Sequence, residues 1–309
     1  MKQEKVYVGI DVAKAHLDLA FEQVRCRLSN DARGHRALVE RLAQLSAPPH
    51  VICEASGGYE RGLLVALERS GIEFSLVQAT RVRHYARACG LLAKTDVIDA
   101  QLLARFGEAI APRPTKALPP AQEQLRELEA QRRHLVRLLV AEQNRRAQLS
   151  DKTLLRLSTS LIAQLKKQIA QIEALLGRLI EQSEALSAKA RKLTQVVGVG
   201  SRTATLLLAQ MPELGQLNRR EAAALAGLAP FNRDSGSAHG KRTIFGGRRA
   251  VRCGLYMAAL VAAHRNPILA PFYHRLRRAG KPPKLALTAT MRKLLIVLNS
   301  ALKTDPIPA

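Results

Sequence analysis

Short apolar runs, each bounded by polar residues or turn formers, dominate the first third of the chain. Residues 5–11 (Lys-Val-Tyr-Val-Gly-Ile-Asp) and 50–54 (His-Val-Ile-Cys-Glu) read as buried strands that each close on an acid. Further strands are predicted at 15–22, 25–29 and 73–78, with helices at 32–46 and 59–70 and others after Thr80 and Thr95. Residues 97–107 have helical spacing, which puts Asp96 and Asp99, at i and i+3, on one face of a first turn. Gly57-Gly58, directly after Glu54, reads as a strand-to-helix turn.

Pro112, Pro114, Pro119 and Pro120 punctuate a linker, after which the pattern becomes helical. Ile162, Leu165, Ile169, Ile172, Leu176, Leu179 and Leu186 keep the three-and-four spacing of a heptad seam, with Ser183 as its polar member. An intermolecular coiled coil and a hairpin with a helix at 121–149 satisfy that seam equally. Three consecutive strands followed by alternating helices and strands is the ribonuclease H order. The expected fold class is therefore α/β plus α: an α/β ribonuclease H domain over 1–116, a helical coiled-coil region over 117–190 and a mostly helical domain over 191–309.

Within this layout, Asp11 and Glu54 fall at strand ends and Asp96 and Asp99 at a helix start, so three elements can aim four carboxylates at one point. Oxygen-only ligand sets suit Mg²⁺ or Mn²⁺, and two such ions roughly 3.5–4 Å apart can polarise a scissile phosphate. Each acid also has an ordinary alternative, since a strand-terminal Asp often caps the next helix and Asp96 fits the N-cap of the 97–107 helix.

Charge sharpens this picture. The 309 residues carry 49 Lys+Arg against 25 Asp+Glu, a net charge of +24, and residues 191–309 alone hold 20 basic and 4 acidic side chains. No acid occurs between Asp234 and Asp305, a distribution that favours a polyanion partner such as DNA or RNA. The basic residues are not gathered on one amphipathic helix, no apolar run approaches the length of a membrane span, and no signal pattern opens the chain. A membrane partner is therefore not expected. Aromatics are only 4% and Trp is absent, so binding is expected through phosphates and backbone shape rather than stacking. Cys26, Cys53, Cys89 and Cys253 are scattered without metal-ligand spacing, which argues against zinc and disulfides and fits a reducing cytoplasm.

A second chemical centre is read at 227–242, where Ser235 and Ser237 lie in a small-residue loop among Arg233, Lys241, Arg242, Arg248 and Arg249. Guanidinium groups suit phosphate and stabilise charge on a phosphoryl group under attack by a hydroxyl. A flexible polar loop is the plain alternative. Upstream, Val196-Val197-Gly198-Val199-Gly200 resembles a helix-hairpin-helix turn, whose glycines let backbone N–H groups approach a phosphate; a tight turn between helices explains it equally.

Taken together, Gly9-Ile10-Asp11-Val12-Ala13-Lys14, Glu54-Ala55-Ser56-Gly57, Lys94-Thr95-Asp96-Val97-Ile98-Asp99-Ala100, Gly198-Val199-Gly200, Phe231-Asn232-Arg233-Asp234-Ser235-Gly236-Ser237 and Leu255-Tyr256-Met257 resemble a DEDD transposase of insertion-sequence family one hundred and ten over nearly the whole chain. The resemblance implies a RuvC-like domain, a coiled-coil linker and a C-terminal transposase domain in a bacterial or archaeal cytoplasm. It further implies a recombinase guided by a noncoding bridge RNA that pairs with donor and target DNA, working as a homo-oligomer of dimers assembling to a tetramer. Its acids carry over to Asp11, Glu54, Asp96 and Asp99 as ligands of Mg²⁺ or Mn²⁺, and its nucleophilic serine to Ser235. Ala238 stands where family members can show a further serine, and Ser56 where Thr is frequent. A metal-only junction nuclease and a non-enzymatic nucleic-acid-binding protein are the rival readings.

Overall fold

The computed structural model describes residues 5–91, 96–115, 118–231, 234–235, 238–239 and 243–303; at 96–98 and in 234–239 the description is of backbone alone. The chain divides into two compact units, Met1–Leu118 and Pro119–Ala309.

The first unit is built on β1 (Val6–Val12), β2 (His16–Phe21), β3 (Val24–Ser29), α1 (Ala32–Ala43), β4 (Pro49–Glu54), α2 (Arg61–Arg69), β5 (Glu73–Val77), α3 (Ala79–Ala88) and α4 (Asp96–Ile110). Its sheet has the order β3-β2-β1-β4-β5, with β1, β2 and β3 antiparallel and β1, β4 and β5 parallel, which is the expected ribonuclease H arrangement. Alternation along the strands sorts side chains between two cores. Val8, Ile10, Val12, Leu17, Leu19, Val51 and Cys53 join Leu38, Leu42, Leu63 and Leu67 of α1 and α2 on one face. Ile52, Val77, Val82, Leu102, Leu103 and Phe106 form the other, with Tyr7 packed against them.

That second face is where α4 lies, and two glycines admit it. A Cβ on Gly9 would stand 1.9 Å from the Ala100 carbonyl oxygen, and one on Gly107 would stand 2.7 Å from Tyr7 Cδ1 and 2.8 Å from Ile52 Cγ1. The helix therefore rests directly on backbone at β1. Because Ala100 meets Gly9 while Gly107 meets Tyr7, α4 runs against the direction of β1 and its first turn reaches the carboxyl ends of the strands.

The second unit contains α5 (Pro120–Arg146), α6 (Lys152–Gln182), α7 (Glu184–Thr194), α8 (Ser201–Gln210), α9 (Arg219–Leu225), β6 (Pro230–Phe231), β7 (Asp234–Ser235), β8 (Ala238–His239), β9 (Thr243–Ile244), α10 (Arg249–Arg265), α11 (Leu269–Arg278) and α12 (Pro283–Ala301). Helices α5 and α6 pair as an antiparallel hairpin within the chain. Its links include Arg132 to Glu173 at 2.7 Å and Ser158 Oγ donating to Glu142 at 2.6 Å. Leu165 and Leu176 of the heptad seam are buried, and Leu125, Leu176 and Leu186 share one core with Leu207, Leu255, Leu294 and Leu298 of the helices that follow. No described helix is long and apolar enough to cross a membrane.

Candidate active site

In the β1–β4 register Ile10 pairs with Cys53, so Asp11 and Glu54 are the next residues on two neighbouring parallel strands. Strands of a sheet lie about 4.8 Å apart. Ile10 and Cys53 turn into the core beneath α1 and α2, which sends Asp11 and Glu54 to the opposite face, the one α4 covers. Both acids are half-buried. Asp99 is half-buried in the first turn of α4, beside the Ala100 carbonyl that touches Gly9. Asp96 opens the same helix, but its side chain lies outside the described residues. Among the described residues no three His, Cys, Asp or Glu gather closely enough to hold a metal ion. The donor chemistry nevertheless fits a hard cation: Asp11 and Glu54 offer oxygens from adjacent positions of one face, and α4 brings Asp99 and the backbone of Asp96 to the same edge.

The turn after Glu54 depends on Glu60, which the sequence reading passed over. Its Oε2 accepts hydrogen bonds from Ser56 Oγ at 2.8 Å, Gly58 N at 2.8 Å and Ser56 N at 3.2 Å, while Gly57 and Gly58 take φ of 77° and 116°. Those angles suit glycine alone without strain. Burial works against ionising Glu60, but its own backbone N–H together with the donors of Ser56 and Gly58 outweighs it and holds the carboxyl below its ordinary range. Asn30 ties two loops together at this end of the sheet, its Nδ2 donating to the carbonyls of Ala13 at 2.8 Å and Tyr59 at 3.1 Å.

A fifth carboxylate was also missed. Asp18 on β2 is directly opposite Asp11 and only 7% exposed. Arg27, its cross-strand partner on β3, binds it through Nε at 2.8 Å and a terminal nitrogen at 3.0 Å. Like charges facing each other across strands are destabilising, and the guanidinium offsets this. The alternation of Asp18 with Leu17 and Leu19 was the available sequence signal.

In the second unit, Ser235 ends β7 and pairs with Ala238 of β8. The side chains of Ser235 and His239 lie outside the described residues, as do Arg233, Ser237, Lys241 and Arg242 entirely. The base of this loop is firmly held. Arg252 donates to the Gly246 carbonyl at 2.7 Å, the Arg248 amide donates to Leu225 O at 2.7 Å, and a Cβ on Gly247 would stand 2.1 Å from Gly227 N.

The expected phosphate contacts separate into two kinds. Arg248 binds Glu213 through two nitrogens at 2.6 and 2.7 Å and Gln210 O at 2.7 Å, so its guanidinium clamps α8 to α10. Burial resists the charge on Glu213, yet Arg248 keeps its carboxyl below the ordinary range. Gly198 likewise has a packing role: at φ 104° a Cβ there would stand 2.8 Å from Ala262 Cβ and 2.9 Å from Ala258 O. Arg249 and Gly200 are exposed, the latter with open space around its α-carbon.

Two family models match the chain: one described as "Transposase", of the DEDD type, over residues 8–153, and one described as "Transposase IS116/IS110/IS902 family" over residues 190–274. The pilin gene-inverting proteins of Moraxella bovis and Moraxella lacunata are each 29% identical over 312 residues, covering 97% of this chain and 97% of their own. Among solved structures, T. thermophilus RuvC in complex with a Holliday junction substrate aligns at 15% identity with a TM-score of 0.28, over 36% of this chain and all of that one. A second Thermus thermophilus RuvC structure aligns at 16% identity with a TM-score of 0.27, over 36% of this chain and 99% of its own.

Proposed function

Because this chain belongs to the IS116/IS110/IS902 family of transposases, enzymes that cleave and rejoin DNA strands, we propose that it does so at Asp11, Glu54, Asp96 and Asp99, with Ser235 as nucleophile and a bridge RNA as guide. The observation that carries this reading is the juxtaposition of Asp11 and Glu54 on one face of adjacent strands, with the start of α4 at the same edge. The four acids would hold Mg²⁺ or Mn²⁺, whose charge, when bound, draws electron density from the scissile phosphate and offsets the repulsion between carboxylates and DNA.

Ser235 supplies the exchange step. Its Oγ bonds to phosphorus as the bond from phosphorus to the 3′ oxygen breaks, and the serine proton ends on that oxygen. A 3′ hydroxyl of another strand then attacks the phosphoserine, restoring a phosphodiester and returning a proton to Oγ. This route conserves the bond energy that hydrolysis would discard. The gene-inverting relatives support it, since inversion by name requires rejoining as well as cutting. Arg233, Lys241, Arg242 and exposed Arg249 would bind phosphate around the loop, and Gly200 would offer backbone N–H groups at the start of α8.

The net charge of +24 supports DNA and a structured RNA as partners. The α5–α6 hairpin leaves Leu138, Val140, Leu154, Leu157 and Leu161 exposed, apolar surface that a second copy in a homo-oligomer would cover. A denaturing gel of protein, bridge RNA and labelled DNA with Mg²⁺ separates the readings. A covalent protein–DNA band supports the serine route, free cut strands a metal-only nuclease, and intact DNA a binding protein.

A further inference from the structure

Edge strand β3 alternates in a way that gives its two faces different work. Cys26 and Leu28 pack toward the core beneath α1, while Arg25 and Arg27 point to the other face, the one that carries Asp11, Asp18 and Glu54. Helix α4 packs on β1, β2 and β4, with β3 at its margin. Arg25 is exposed, and the Arg27 side chain keeps 55% of its exposure although Asp18 grips it at 2.8 and 3.0 Å. His16 adds its Nε2 at 3.4 Å from Asp18 Oδ2. A buried carboxylate thus fixes the orientation of a solvent-facing guanidinium beside the acidic edge of the sheet.

The geometry points to a phosphate rail: Arg25 and Arg27 on the open face of β3 bind the backbone of the substrate DNA next to the scissile phosphate, and Asp18 is the positioning residue that aims Arg27. This rests on the acidic centre being the place of cleavage. Two strand spacings of about 4.8 Å put β3 roughly 10 Å from the strand of Asp11, and one DNA strand advances about 3.4 Å per nucleotide. The rail therefore meets phosphates roughly three nucleotides from the cut. The carboxylates of Asp11, Asp18, Glu54 and Asp99 would otherwise repel the strand they act on. Because roughly 10 Å is about one Debye length at ordinary salt, the rail acts by direct contact with its own phosphates rather than through space. Arginine suits both duties, because its planar fork can hold Asp18 bidentately while presenting charge outward.

The test uses the full-length protein with duplex DNA, measuring affinity against salt and, with bridge RNA and Mg²⁺ present, single-turnover cleavage at saturating DNA. Every phosphate that is no longer neutralised should make the slope of log affinity against log salt shallower by about 0.9. Arg25→Gln is expected to release about one such phosphate, and Arg25→Gln with Arg27→Gln about two. Arg25→Gln with Arg27→Lys should return the slope to that of Arg25→Gln alone, yet cleavage of bound DNA should be slower than in Arg25→Gln, because lysine cannot hold Asp18 bidentately. Asp18→Asn should likewise cleave bound DNA slowly. Asp11→Asn serves as the separate check on the acidic centre, keeping the wild-type slope and losing cleavage.

Unchanged DNA slopes in both Arg25→Gln and the double variant would overturn the rail, even with Asp11→Asn inactive. So would slopes that change for RNA alone. If Arg27→Gln proves unstable, Arg25→Gln decides the matter by itself. A lowered melting temperature in Asp18→Asn with normal cleavage of bound DNA would reduce Asp18 to a strut and overturn its positioning role. Full cleavage by Asp11→Asn would instead defeat the acidic centre on which the rail depends.

Discussion

Asp11 and Glu54 stand at the same level of two hydrogen-bonded parallel strands, one residue beyond the paired Ile10 and Cys53, and both turn to the face that α4 covers. Two carboxylates on adjacent positions of one face repel each other, and the proposed metal ion would offset that repulsion. Asp11→Ala or Glu54→Ala is expected to lower strand cleavage by more than about a hundredfold while DNA affinity stays near wild type, because the basic surface is untouched. Gel-shift and cleavage assays on the same preparations check this. Full cleavage by both variants would remove these acids from the centre.

Gly9 should be as intolerant as the acids. Its missing side chain lets the Ala100 carbonyl come within 1.9 Å of where a Cβ would be, so Gly9→Ala must push α4 away from β1. We expect a loss of about 1–3 kcal/mol in a denaturant titration, together with reduced cleavage as Asp99 moves with the helix. A variant of unchanged stability and activity would show that α4 does not set the site.

Glu60 gives a pH signature. Its folded-state carboxyl is held below the ordinary value of 4.5 by donors from Ser56 and Gly58, so the stability it contributes is present above that value and lost as pH falls through the lowered one. Glu60→Gln is expected to cost about 1–3 kcal/mol near pH 7 and to converge on wild type in acid. Melting curves from pH 7 down to about 3 provide the comparison. A gap that widens in acid would contradict the assignment.

Arg248 and Arg249, adjacent in sequence, should behave oppositely. Arg248→Ala strips Glu213 of its partner and is expected to destabilise the protein by about 1–3 kcal/mol. Exposed Arg249→Ala should stay within about 0.5 kcal/mol of wild type but make the salt dependence of DNA binding shallower by about 0.9. Thermal melts and salt titrations distinguish the two effects.

The ribonuclease H strand order was legible because strands that alternate or are wholly apolar leave a strong trace, and the acids closing residues 5–11 and 50–54 gave the level of Asp11 and Glu54 directly. Gly9 was visible only as part of a motif, since its steric reason is a helix some ninety residues away at Ala100. Asp18 and Arg27 escaped because cross-strand pairing depends on register, and the register between β2 and β3 is set by a turn rather than by composition. The heptad seam fitted a hairpin and an intermolecular coil equally; the antiparallel pairing of α5 with α6 follows from the short 147–151 connection and the contacts of Arg132 and Ser158. Arg248 resembled its basic neighbours in sequence, and only the position of Glu213 reveals it as a clamp.

The most direct measurement is mass spectrometry of the protein trapped on cleaved DNA with bridge RNA and Mg²⁺, digested to leave a single nucleotide. A phosphoryl-nucleotide adduct is expected on Ser235 in wild type, none in Ser235→Ala or Asp11→Asn, and a retained adduct in Ser237→Ala. An adduct on Ser237 or Tyr256, or cleaved DNA with no adduct on any residue, would contradict this assignment.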